Sequence, residues 1–167
     1  MPAQNTSEKL ISSKEYQIKA AFIYRFLFFI DWPQDSSETD SINIAVISSD
    51  KLENEIYSNL QGKEANGKKV CIELFTPDEY IKNLDKFKIL YISGIPDNKL
   101  NKLITSINDK AILTISDNPD FLSSGGIIQF VNIDKNIRFQ INLTKAEKSK
   151  LLISSRLLRI ASFVKMD

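Results

Sequence analysis

Three strand-like runs in this 167-residue chain finish in the same dipeptide, Ile47-Ser48, Ile92-Ser93 and Ile115-Ser116, with Asp50 and Asp117 close behind the first and the last. Hydroxyls and carboxylates at the carboxyl ends of strands, beside helices whose first N–H groups are free, can hold a small polar or anionic ligand. The residues that would line such a crevice are Ser48, Ser93, Ser116 and Asp117. A plainer reading competes: serine and aspartate are preferred helix caps, and each is accounted for by the helix it would precede. Both readings stay open at the level of sequence.

Few other chemistries have their parts. The chain has no histidine, which removes the usual general base near neutral pH, histidine-containing triads and most catalytic zinc sites. No GxGxxG follows the first strand, and neither GxxxxGK[ST] nor GxSxG occurs anywhere. Asp117, Asp120 and Asp134 could gather, but single loop aspartates ordinarily form caps and turns. The expectation is therefore a protein that is not an enzyme and uses no cofactor or metal. Lysine and arginine total 22 against 21 aspartate and glutamate, a net charge of +1, so no global field collects nucleic acid. Cys71 is the only cysteine, which excludes an internal disulfide and reads as a core thiol in an apolar strand.

The elements that must position the serines follow from periodicity. Residues 1–13 are polar and read as a disordered tail ahead of a single domain at 14–167. The tail lacks the basic start and apolar run of a signal peptide, so the protein is expected to be either cytosolic or a mature form whose leader has been removed. Tyr16 to Ile30 reads as a buried helix, with Ile18, Phe22, Phe26 and Phe29 at helical spacing and Ile23, Leu27 and Ile30 widening the stripe. It is too short, and carries Arg25, to span a membrane. Pro33 stops it, Trp32 is expected to pack as a lid, and Gln34 to Ser41 reads as a polar loop.

Strand and helix then alternate. The strands are Ile42 to Ile47, Lys69 to Phe75, Lys88 to Ile92 and Ala111 to Ile115. Between them come helices at Lys51 to Leu60 (cap candidates Ser49 and Asp50), at Pro77 to Leu84 behind the capping box Thr76 to Glu79, and at Asp97 to Asn108. Gly62 ends the first of these helices and Asn66-Gly67 makes a turn. Continuously apolar strands separated by helices imply an α/β, Rossmann-like fold, its mainly parallel sheet covered on both faces. Right-handed crossovers suggest a strand order 2-1-3-4.

After Ser116 the rhythm changes. A helical turn at Asp117 to Ser124 and the pair Gly125-Gly126 lead into a C-terminal antiparallel hairpin, Ile127 to Val131 and Ile137 to Leu143, with Gln129, Arg138, Gln140 and Asn142 away from its apolar face. Thr144 and Glu147 form a second capping box, and Leu151 to Val164 continues as a helix that exposes Arg156 and Arg159.

Lys19-Ala20-Ala21-Phe22 leading to Trp32-Pro33, then Ile112 to Asp117, Phe121, Gly125 to Ile128, Arg138 to Asn142 and Leu152 to Leu158, taken in that order, resemble the YfiR family, also called YfiR/HmsC-like, over Tyr16 to Val164. The resemblance implies a periplasmic, non-enzymatic regulator. Such proteins hold an inner-membrane diguanylate cyclase inactive through its periplasmic sensor portion, so that cyclic-di-GMP output and biofilm formation follow the state of the envelope. It also implies a homodimer. Disulfide control, used by some members, cannot operate inside a chain whose only cysteine is Cys71. Arg156 and Arg159 are the candidate partner contacts. The alternative is a small-molecule sensor or an uncharacterised enzyme using the serine-lined crevice.

Overall fold

The computed structural model describes residues 2–34, 39–49 and 53–167, with side chains from Ser13 onward apart from that of residue 53. Helix α1 (Pro2–Phe29) reaches back into residues assigned above to a tail, and runs forward into a short strand β1 (Ile30–Asp31). Strand β2 (Ser41–Ser48) is followed by α2 (Glu53–Leu60) and the hairpin of β3 (Glu64–Ala65) and β4 (Lys68–Phe75). A 3-10 turn at Leu84–Lys86 precedes β5 (Phe87–Ser93), α3 (Asp97–Ser106) and β6 (Leu113–Ser116). The hairpin β7 (Ile128–Ile133) and β8 (Asn136–Asn142) comes next, then α4 (Leu143–Lys148), β9 (Leu152–Ile153), α5 (Ser155–Ile160) and β10 (Phe163–Lys165). The cap candidate Asp50 and part of the expected 34–41 loop lie outside the described residues.

One eight-stranded sheet carries the fold, in the order β10-β8-β7-β6-β5-β2-β4-β3. Its centre, β4-β2-β5-β6, is parallel throughout, which is the order 2-1-3-4 expected from the sequence. Alternation along β2 divides the core. Ile42, Ile44 and Val46 join a cluster with α1 and α2, while Ala45 and Ile47 join one with Leu100 and Ile104 of α3. Both faces of the central strands are thus covered, and their continuous apolarity has its cause. In the α1 layer, Phe22 and Phe26 meet Phe139 edge-on, with centroids 5.4 and 5.2 Å away.

Several local expectations change. Ile18 is 45% exposed, and the buried face of α1 is Tyr16, Lys19, Ala20, Ile23, Phe26 and Leu27, one step round from the expected stripe. Cys71 is half-buried and not fully in the core. The capping-box bond forms, Thr76 N–H donating to Glu79 Oε2 at 2.8 Å, but no α-helix follows it. Only Ile81 and Leu84 of that segment reach the core and Tyr80 is 84% exposed, too little burial to offset the cost of nucleating a short helix. Residues 118–125, by contrast, make the helical turn expected there, Ser124 N–H donating to Asp120 O at 3.1 Å.

The C-terminal helix is broken into pieces. Lys150 takes a left-handed φ of 63°, with Leu151 N–H donating to Ala146 O and Lys150 N–H to Glu147 O, both at 2.9 Å. That pattern closes α4 in the way a glycine usually does. The chain then pairs Leu152 and Ile153 with Asp31 and Ile30, turns through α5, and adds β10 parallel to β8.

The cap of α4 is Asn142 and not Thr144: Asn142 Oδ1 accepts from Lys145 N–H at 3.0 Å, while its Nδ2 donates to Leu122 O. Asn142 alternates with Ile141 and so points away from the hairpin's apolar face as expected, but it is buried there under the Leu122 loop. Asn142→Ala is expected to lower unfolding free energy by about 1–2 kcal/mol in urea titrations. Thr144→Ala should change it by less than about 0.5 kcal/mol. Equal losses would return the cap to Thr144.

Candidate functional site

The carboxyl ends of β2, β5 and β6 bring some of the proposed ligands together and separate others. Ser48 and Ser93 are neighbours in register across β2 and β5, both buried. Ser93 lies two residues beyond Tyr91, a member of the cluster under α1, so it faces that helix. Asp117 lies two residues beyond Ile115 of the same cluster and reaches the same place. Ser93 Oγ donates to Asp117 Oδ1 at 3.1 Å. Ser116 is one residue off this alternation and belongs to the other face, where its Oγ accepts Asn118 N–H at 3.1 Å. That is the capping role weighed above, in a turn instead of a helix.

The cation of the site was not foreseen. Lys19 of α1 donates from Nζ to Asp117 Oδ2 at 3.1 Å, the two side chains being 6% and 29% exposed. The ammonium also lies 5.2 Å from the ring centroid of Tyr16 and 6.0 Å from that of Phe130. Tyr91 completes the group. Its hydroxyl is buried beside Ser93 and Asp117, and Ser93 Oγ, while donating to Asp117, can still accept from it. Burial first, then the charge of Asp117, holds the Tyr91 phenol well above its ordinary pKa, so it stays protonated. A signal for Lys19 was present in the sequence: it falls three residues after Tyr16 and four before Ile23, on the face those residues bury.

This arrangement ties the N-terminal helix to the sheet across the point where the chain leaves β2 and β5 in opposite directions. In open α/β folds that is where ligands enter. Here Ser49 Oγ donates to Gly94 O at 3.1 Å across the same gap, and Lys19 with Asp117 covers it from the α1 side. At this gap Ser93, Asp117 and Lys19 are bonded to one another. A cavity of about 220 Å³ lies at the opposite, amino ends of the strands, between Trp32, Ile42, Lys68 and Lys88. There Trp32 is the expected lid, its indole N–H donating to Lys88 O at 3.0 Å.

The candidate contact residues Arg156 and Arg159 are both exposed on α5, a helix of six residues held by Ser154, whose Oγ accepts Arg156 N–H at 3.2 Å. No helix among the described residues is long and apolar enough to cross a membrane, and no cluster of metal-ligating side chains occurs among them.

Compared with known proteins, residues 16–162 match the model of the family described as YfiR/HmsC-like. No curated protein matches the chain. Among solved structures, it is similar to a conserved domain protein from Vibrio cholerae, at 14% identity and a TM-score of 0.58, over 90% of this chain and 60% of that one. The chain thus spans about 60% of the length of that structure, and at such identity the likeness is one of fold alone.

Proposed function

The chain belongs to the YfiR/HmsC-like family, and from that premise we propose that it is a periplasmic regulatory binding protein that holds a membrane-bound diguanylate cyclase inactive through its sensor portion. The family match over residues 16–162 is the observation that carries this reading. The geometry supports a binding role over catalysis. At the strand ends, where an α/β enzyme would place reactive groups, Ser93, Asp117 and Lys19 are spent on one another. Cyclic-di-GMP output and biofilm formation would then respond to whatever changes the protein's affinity for the cyclase. A homodimer belongs to the same proposal.

The partner surface proposed is the exposed side of α5. Arg156→Glu with Arg159→Glu should weaken capture of a purified cyclase sensor portion by about tenfold or more, since reversing two contact cations removes attraction and adds repulsion. Folding should be unchanged by circular dichroism, because both side chains are exposed. Undiminished capture would move the contact elsewhere.

One observation favours a second reading, a small polar ligand at Ser48, Ser93 and Asp117, with Ser116 reached only from the other face. Ser48 and Ser93 lie side by side at the strand ends next to Asp117, a carboxylate that is partly open to water. Crystals soaked with amino acids and nucleotides would carry density against Asp117 if this holds, and density confined to other places would reject it.

A further inference from the structure

The connection from β4 to β5 leaves one part of the sheet thinly covered. Both strands flank β2 and run parallel to it, so the chain must cross β2 between them, and a crossover ordinarily does so as a helix that shields that face. Here residues 76–83 are turns and irregular chain ahead of the 3-10 turn. They lie on the α3 side, where Ile81 and Leu84 pack against the cluster of Ala45, Ile47 and Leu100.

Between this segment and α3 a groove of about 590 Å³ stays open. Its floor is apolar: Ile47 and Ile95 are buried beneath it, and Ile81, Leu84 and Leu103 are half-buried along it. Tyr80, 84% exposed, stands beside it. The volume is that of a small-molecule site, and half-buried apolar side chains in a concave setting gain by exchanging water for hydrocarbon.

The charged groups at the rim decide what kind of molecule fits. They are Asp78, Glu79, Lys99 and Lys102, two of each sign, so selection comes from contact and not from a field. Three of the four are engaged: Lys99 donates to Asp78, and Glu79 Oε2 accepts Thr76 N–H. Lys102, exposed on α3 beside Leu103, has no hydrogen-bond or ion-pair partner among the described residues. The open electrostatic contact at the rim is therefore one for an anion. We propose that the groove binds a medium-chain carboxylic acid, its apolar body along Ile81, Leu84 and Leu103 and its carboxylate on Lys102. The site is separate from the Ser93, Asp117 and Lys19 group, which lies on the α1 face, and does not depend on which partner the protein regulates.

The test titrates the full chain with decanoate, decanol and decylammonium, each below its micelle concentration, and follows the side-chain methyl groups by NMR. Decanoate should give saturable shifts at Ile81, Leu84 and Leu103. It should bind about tenfold more tightly than octanoate, since each buried methylene contributes roughly three- to fourfold. Decanol should bind about threefold more weakly than decanoate, the size expected of one exposed ion pair, and decylammonium more weakly still. Lys102→Ala should bring decanoate down to the affinity of decanol and leave decanol unchanged, and because the side chain is exposed the fold should be undisturbed. Shifts centred on other methyl groups overturn the proposal, as does a response that does not saturate. Equal affinity for the three probes, or an unchanged affinity for decanoate in Lys102→Ala, rejects the carboxylate contact and with it the proposed ligand. Shifts at the groove that follow protein concentration alone would mean that a second copy occupies it, and would also reject the proposal.

Discussion

Asp117→Ala is expected to lower the melting temperature by about 6–12 °C, corresponding to about 3 kcal/mol in a domain of this size. The loss is large because the substitution leaves the Lys19 ammonium, only 6% exposed, without its carboxylate. Removing one partner of a fully buried pair costs about 3–5 kcal/mol, and the low end applies because Asp117 already reaches some water. The reverse substitution is milder for the same reason. Lys19→Ala leaves a carboxylate that can be solvated and that keeps its bond from Ser93, so about 1–2 kcal/mol is expected. Lys19→Met with Asp117→Leu should recover to within about 1 kcal/mol of wild type, since apolar pairs commonly replace buried ion pairs without loss. Differential scanning calorimetry on the four proteins checks the ordering. A shift under about 2 °C for Asp117→Ala would mean that the pair does not fasten α1 to the sheet.

Gly126→Ala should be at least as damaging, by about 3 kcal/mol or more, with loss of soluble protein a fair expectation. Gly126 has no unusual backbone angle. It is required because a Cβ there would fall 2.1–2.5 Å from three ring carbons of Phe121, a fully buried residue of the α3-side core. The loop is wound tightly round that ring, with Gly126 N–H donating to Phe121 O at 2.9 Å. Gly62→Ala supplies the contrast: φ is +82° but nothing lies within 4 Å, so only the backbone cost of about 1 kcal/mol is expected. Trimming the ring should relieve the first defect and not the second. Gly126→Ala combined with Phe121→Leu is expected to be more stable than the sum of the single effects, by urea titration. Strict additivity would contradict a steric origin.

These residues also mark how far the sequence could be read. Alternating strand and helix signals were enough for the α/β class and for the β4-β2-β5-β6 order, because burial on both faces imposes unbroken apolar runs that single positions cannot disguise. The Asn66-Gly67 turn was legible too, and it joins β3 to β4 with positive φ at both residues. Helix ends were not. A capping box at Thr76 formed its bond without a helix behind it, and the C-terminal helix dissolved into β9, α5 and β10 because strand partners at β1 and β8 lay far away in sequence.

The candidate site was legible in part. The Ile-Ser recurrence located the strand ends, but alternation places Ser116 on the opposite face from Ser48 and Ser93. Lys19 was hidden among the apolar residues of α1, and its partner is 98 residues away. Only the register of β5 and β6 under α1 brings the two together.

The central proposal is that this protein restrains a diguanylate cyclase by binding its sensor portion. The most direct measurement follows cyclic-di-GMP synthesis by inner-membrane vesicles containing the cyclase, oriented so that added protein reaches the sensor side. Synthesis should fall as the purified protein is added, to a plateau at saturation, and the Arg156→Glu, Arg159→Glu protein should need about tenfold more to do the same. Synthesis unchanged at saturating protein would contradict the account.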